Sequence, residues 1–201
     1  MARRTATWGP LAGLLVLTAA LYAPTRTHRF VYEDHNWLRA VTEMPAVSLM
    51  PSRALSYATH HLTWRLVGFD PGLYHLGNVA LHLMNGLLVY AVAVALIPGS
   101  AAVWGAGVFL LHPLNSEAVN YVSARTDLLM TGGVLLAVWL SLGRLTYWRG
   151  VGIAGALVLA ALSKEIGLIG VPLVVPMAPT ASRSDDTVLD CFSEGDTELE
   201  S

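Results

Sequence analysis

The chain has 201 residues, 54% of them hydrophobic and only 13% charged, with a formal net charge of −2. A soluble domain carries about 25% charge, so this composition excludes a disordered protein and argues against an ordinary water-soluble domain. A mean hydropathy of +0.54, concentrated in long apolar runs, makes the lipid bilayer the natural solvent. One cysteine, Cys191, excludes an internal disulfide and a cysteine metal cage.

In chain order, the first apolar run covers 8–23 and follows Arg3 and Arg4. It reads as an N-terminal transmembrane helix within residues 1–24, with a signal peptide as the alternative. Residues 25–73 form a polar external loop, divided by Pro45, Pro51 and Pro71 and rich in ionisable side chains. Within it, 54–69 reads as an amphipathic helix suited to a membrane interface. Residues 74–97 are the clearest span, long enough for about 30 Å of hydrocarbon. Pro98-Gly99-Ser100 marks a turn. A short run over 101–111 ends at His112-Pro113, because the residue before proline is pushed out of the helical region. A polar stretch over 115–127 follows, then apolar runs over 128–142, 151–162 and 166–177. The last two are separated only by Ser163-Lys164-Glu165.

The predicted fold is all-α: a polytopic membrane protein of about six transmembrane or re-entrant helices, with a helical bundle over 74–177 and interfacial helices in the first external loop. Residues 178–201 read as an acidic, disordered tail. Arg183 is its one cation, against seven acids.

Six crossings from an inside N-terminus put Arg3, Arg4, Arg144 and Arg149 on the cytoplasmic side, as the positive-inside rule prefers. Crossing parity then gathers Glu33, Asp34, Glu43, Asp70, Glu117, Asp127 and Glu165 on the external face. The sorting requires 151–162 and 166–177 to cross separately. In the 74–97 span, His75, Asn78, His82 and Asn85 share one helix face. That stripe is either hydrogen-bonding glue between helices or the wall of a polar cavity.

Five segments carry a resemblance. They are Phe30-Val31-Tyr32-Glu33-Asp34-His35, Tyr74-His75-Leu76-Gly77-Asn78 with His82, His112-Pro113-Leu114-Asn115-Ser116-Glu117, Ser123-Ala124-Arg125-Thr126-Asp127, and Ser163-Lys164-Glu165. In this order, over about residues 30–176, the chain resembles the GT-C superfamily of polytopic glycosyltransferases. It is most similar to the transmembrane and tetratricopeptide-repeat O-mannosyltransferases and their bacterial relatives.

The resemblance implies transfer of a sugar, mannose among the candidates, from a polyprenyl-phosphate carrier to an acceptor hydroxyl outside the cytoplasm. The acceptor is a protein Ser/Thr or a glycan. The partners it implies are the bilayer, the lipid-linked donor and the acceptor, with no nucleic acid. Its catalytic acidic pair falls on Glu33-Asp34. The family more often has aspartate first, so Glu33 and Asp34 both stand as the base. Such a base takes the acceptor proton, and cations stabilise the departing phosphate. Arg125 and Lys164 are the candidate phosphate ligands, arginine through its forked donors. Glu117, Asp127, Glu165, His75, His82 and His112 are candidates for orienting substrate. A divalent cation is a further candidate cofactor, with Glu117 as its ligand.

The family's additional crossings and repeat domain have no counterpart in this sequence, and the composition changes after Pro179. A truncated product is therefore expected. One lysine against eleven arginines suits a GC-rich genome and a bacterial inner membrane. The alternative from another class is a non-catalytic polytopic protein, such as a transporter subunit or assembly partner. It would place its ionisable groups along a path at mid-membrane.

Overall fold

The computed structural model describes residues 8–31, 34–43, 53–97 and 99–174. Glu33 and the acidic tail lie outside them. Among the described residues the chain is helical with no strand: α1 (Trp8–Tyr22), α2 (Asp34–Glu43), α3 (Ala54–Val67), α4 (Pro71–Leu96), α5 (Gly99–Leu111), α6 (Asn115–Asn120), α7 (Arg125–Ser141), α8 (Tyr147–Ser163) and α9 (Gly170–Val174).

The boundaries follow local chemistry. Helix α3 stops at Gly68, whose φ of +64° suits only glycine and whose N–H closes on Trp64 O at 2.7 Å. Asp70 then caps α4 by accepting from Gly72 N–H at 2.9 Å, with Pro71 in the first turn. At the other end Ile97 is extended (φ −132°, ψ 164°), as a residue before proline must be. Thr146 caps α8 through Arg149 N–H at 3.4 Å.

The long helices alternate in direction. Trp8 packs on Tyr90 and Tyr22 on His82, so α1 runs antiparallel to α4. Tyr90 shares a core with Ala102 and Ala106, while His82 meets Leu110, so α5 returns along α4. Arg125 meets Tyr74 and Leu128 meets Asn85, so α7 runs parallel to α4. Helix α8 comes back along α7, because Ala156 and Ala160 flank Gly133 and Lys164 reaches Asp127. A β-carbon on Gly133 would lie 2.8 Å from Ala156 O, so only glycine permits this approach. The end of α1, the start of α4, the end of α5, the start of α7 and the end of α8 therefore gather at one end of the bundle. Arg144 and Arg149 sit at the far end of α7, about 25 Å away at 1.5 Å per residue.

Among the described residues two helical stretches are long and apolar enough to cross a membrane, Trp8–Thr27 and Pro71–Leu96. Helices α5 and α8 are shorter apolar helices. Outward faces carry Val16, Leu17, Leu87, Trp104, Val108 and Val158, all exposed. Apolar surface of this extent, on helices with few buried residues, matches lipid rather than water.

The run 166–177, one of the expected transmembrane or re-entrant segments, is broken into short pieces. Lys164 is extended, Glu165–Ile169 is a 3-10 turn, and only Gly170–Val174 is helical among its described residues. The turn folds back on α8 so closely that a β-carbon on Gly167 would lie 2.5 Å from Ala160 O. Neither piece alone has the length of a span.

Candidate functional site

At the gathered helix ends, α2, the start of α3, α6, the turn before α7 and the end of α8 enclose a polar cleft of about 330 Å³. Trp37 and Arg53 form one wall. Glu117, Tyr121, Ser123, Ala124 and Thr126 form another, and Asp127 and Lys164 close it.

Asp34 fastens the first loop to this cleft. Its carboxylate is fully buried. Oδ1 accepts from Ser123 N–H at 3.0 Å, and Oδ2 accepts from Val122 N–H at 3.3 Å and Val31 N–H at 3.5 Å. Leu38, Tyr74 and Val122 pack beneath this contact, with Phe30, Trp64 and Val67 around them.

Lys164 Nζ donates to Asp127 Oδ1 at 2.5 Å, joining the end of α8 to the first turn of α7. Both side chains are about one-third exposed, so this pair adds little stability. Its effect is to fix a cation at the cleft edge. Asp127 also borders a smaller cavity of about 200 Å³, lined by His82, Asn85 and Asn115.

Arg125 lies behind the cleft, 3% exposed. Its Nε donates to Asn78 Oδ1 at 3.0 Å, Nη1 to Thr63 Oγ1 at 3.0 Å, and Nη2 to Tyr74 O at 3.0 Å. The guanidinium also lies 5.6 Å from the Tyr74 ring centroid. Its forked donors are thus directed at α3 and α4.

The stripe on α4 is buried throughout, and Asn78, His82 and Asn85 bond to neighbouring backbone. Asn78 Nδ2 donates to Tyr121 O at 2.8 Å, His82 Nε2 to Leu110 O at 3.1 Å, and Asn85 Nδ2 to Leu128 O at 2.9 Å. These bonds join α4 to α5, to α7 and to the turn after α6, as glue between helices would. His82 and Asn85 also line the smaller cavity, so the two readings of the stripe coexist.

The structure brings Glu117, Asp127 and Lys164 into one cleft and sets Asp34 against its backbone wall. His75 lies inside the bundle beside His28. His112 lines a separate, nearly apolar groove of about 600 Å³ between α1 and α5, with Leu14, Trp104, Val108 and Pro113. Glu165 is exposed in the turn after Lys164 and does not line the cleft. Among the described residues no three His, Cys, Asp or Glu side chains are grouped to hold a metal ion.

The sequence reading did not single out Arg53 and Trp37 as site residues. Their signal was available: a tryptophan one turn after Asp34, and an arginine at the start of the interfacial helix. Neither shows its partner until the loop is folded.

His60, on α3, lies under the Val122 turn, fully buried. Nδ1 is 2.8 Å from Ser56 O and Nε2 is 3.1 Å from Val122 O. Burial pushes its pKa down to about 4, and the Arg125 cation adds to the fall. The carbonyls of Ser56 and Val122 and the Asp34 carboxylate act against it. A depressed histidine pKa means that the unfolded chain binds the proton more readily. Its stabilising contribution is complete above about pH 6.5 and is lost as pH falls toward 4. Stability is expected to fall by about 2 kcal/mol between pH 7 and pH 5 from this group. Thermal unfolding in detergent, comparing wild type with His60→Asn, checks it. Equal pH slopes in the two would remove His60 as the cause.

Comparison with known proteins gives one informative match. Over 148 residues, 63% of the chain, the sequence is 32% identical to the Drosophila melanogaster protein O-mannosyl-transferase Tmtc1. The chain spans 17% of the length of that relative. No protein-family model matches the chain, and no solved structure matches it significantly. The identity supports a distant relationship to that transferase's family.

Proposed function

We propose that this chain forms the reaction centre of a membrane glycosyltransferase. It moves a sugar, mannose by the relative's name, from a polyprenyl-phosphate carrier to a Ser/Thr hydroxyl of a protein on the extracytoplasmic side. The acceptor oxygen bonds to the anomeric carbon, the sugar–phosphate bond breaks, and its electron pair leaves with the phosphate. The acceptor proton passes to a carboxylate.

The carrying observation is the polar cleft, in which Glu117 of α6, Asp127 of α7 and Lys164 at the end of α8 converge. Glu33 is the base in this reading, and Asp34 is the anchor that fixes the segment bearing it against Ser123. Lys164, oriented by Asp127, faces the departing phosphate charge. Arg125 is a positioning residue that ties α7 to α3 and α4, and Glu117 orients the acceptor. Alternating helix direction supports the topology. The cleft and the Arg144–Arg149 turn lie at opposite ends of α7, so an external cleft leaves those arginines in the cytoplasm. A bacterial inner membrane is the proposed location.

The test is transfer of labelled sugar from polyprenyl-phosphate mannose to a Ser/Thr peptide, by the full chain in lipid nanodiscs. Glu33→Gln is expected to lower the rate about 100-fold. Transfer unaffected by that substitution, or no transfer by the wild type, would overturn the reading.

A further inference from the structure

We propose that Arg53 and Trp37 form an anion-binding subsite in the cleft wall, and that it receives the phosphate of the lipid-linked donor. The first part rests on geometry alone. The second rests on the transferase reading above.

Arg53 Nε and Trp37 Nε1 are both buried from solvent, and among the described residues neither has a hydrogen-bond partner. Both residues line the same cleft. Buried N–H donors are nearly always satisfied in folded proteins, because an unmade bond leaves the desolvation penalty uncompensated. Two such donors in one wall of an open polar cleft point to an acceptor that arrives from outside the chain.

The donors are held in place. The Arg53 guanidinium sits 5.9 Å from the Trp37 ring centroid, and Trp37 stacks on Tyr57 with centroids 4.9 Å apart at 28°. Tyr57 is itself buried. An arginine over an indole keeps its in-plane N–H groups available, since the ring occupies only its face.

The ligand must present several acceptor oxygens and negative charge. Of the two carboxylates lining the cleft, Asp127 is engaged by Lys164. With Lys164 paired to Asp127, Arg53 is the lining cation that meets the ligand, in a cavity of about 330 Å³, a size suited to a phosphate with one attached sugar, and Glu117 stands as the remaining carboxylate of the lining. A phosphate monoester or diester meets both requirements, and a neutral sugar or alcohol meets only the first.

The experiment measures binding without turnover. The full chain in nanodiscs is titrated with polyprenyl monophosphate, with the neutral polyprenol of the same length, and with inorganic phosphate. Wild type is expected to bind the lipid phosphate at least about tenfold more tightly than the alcohol. Arg53→Met is expected to abolish that preference while leaving polyprenol binding unchanged, with Arg53→Lys intermediate. Trp37→Phe keeps an aromatic ring against Tyr57 and removes the indole N–H. It is expected to weaken phosphate binding severalfold, and it provides the test if Arg53→Met does not fold. A wild-type preference that survives both Arg53→Met and Trp37→Phe overturns the subsite and leaves the transferase reading standing. Arg53-dependent binding in a chain that transfers no sugar upholds the subsite and overturns that reading. Inorganic phosphate binding as tightly as the lipid phosphate overturns the assignment to a lipid-linked ligand.

Discussion

Replacing Arg125 with methionine is expected to destabilise the chain by about 4 kcal/mol. Methionine preserves much of the volume and all of the apolar stem, so the loss is polar. Asn78 Oδ1, Tyr74 O and Thr63 Oγ1 each lose the donor now 3.0 Å away, the first two in fully buried bonds and the third in a partly buried one. Arg125→Lys is expected to recover less than half, because a single ammonium cannot reach α3 and α4 in the directions that the planar fork does. A β-carbon on Gly77 would lie 3.0 Å from Arg125 Nη2, so the guanidinium is confined on that side as well. Unfolding of the purified chain in detergent, by heat or by titrated SDS, measures both losses. Equal stability of Arg125→Met and wild type would show that these bonds contribute nothing net.

Asp34→Ala is expected to cost about 3 kcal/mol, because the Val122 and Ser123 N–H groups are left buried without an acceptor. Asp34→Asn retains one carbonyl oxygen and is expected to lose about 1 kcal/mol. The two variants separate anchoring from acid–base chemistry. If Asp34 serves only as the anchor, Asp34→Asn keeps most sugar transfer while Glu33→Gln does not. If Asp34 is the base, Asp34→Asn falls as far as Glu33→Gln was expected to. Stability curves and transfer rates on the same preparations resolve the two roles.

Much of the bundle was legible because its punctuation is local. Gly68, Pro71, Pro98 and Pro113 act through their own backbone, and the helices between them fall close to the apolar runs. The alternation of direction was legible too, since short connections leave antiparallel packing as the accessible arrangement. The break after Ser163 was only half legible. The apolar run from Ile166 looks continuous, yet Gly167 permits the backbone to press against Ala160 and turn there. Site residues divide in the same way. Glu117, Asp127 and Lys164 stood in polar gaps between apolar runs, and these gaps meet. The engagement of Arg125 could not be read, because its partners lie 47 to 62 positions away. Trp37 and Arg53 depend on how the first loop folds onto the bundle, which no periodicity encodes.

Helix α5 has 13 residues, whereas α4, beside it, has 26. At 1.5 Å per residue α5 rises about 20 Å, well short of the roughly 30 Å of hydrocarbon in a bilayer. Helix α4 ends and α5 begins at one level, residues 96–99, so α5 stops beside Gly86 and His82 while the first half of α4 extends beyond it. In the membrane reading proposed above, lipids beside α5 sink to cover it, producing a local dimple in the leaflet on the cleft side. The floor of that dimple lies at the level of α6, so a headgroup there would stand alongside the cleft without leaving its monolayer.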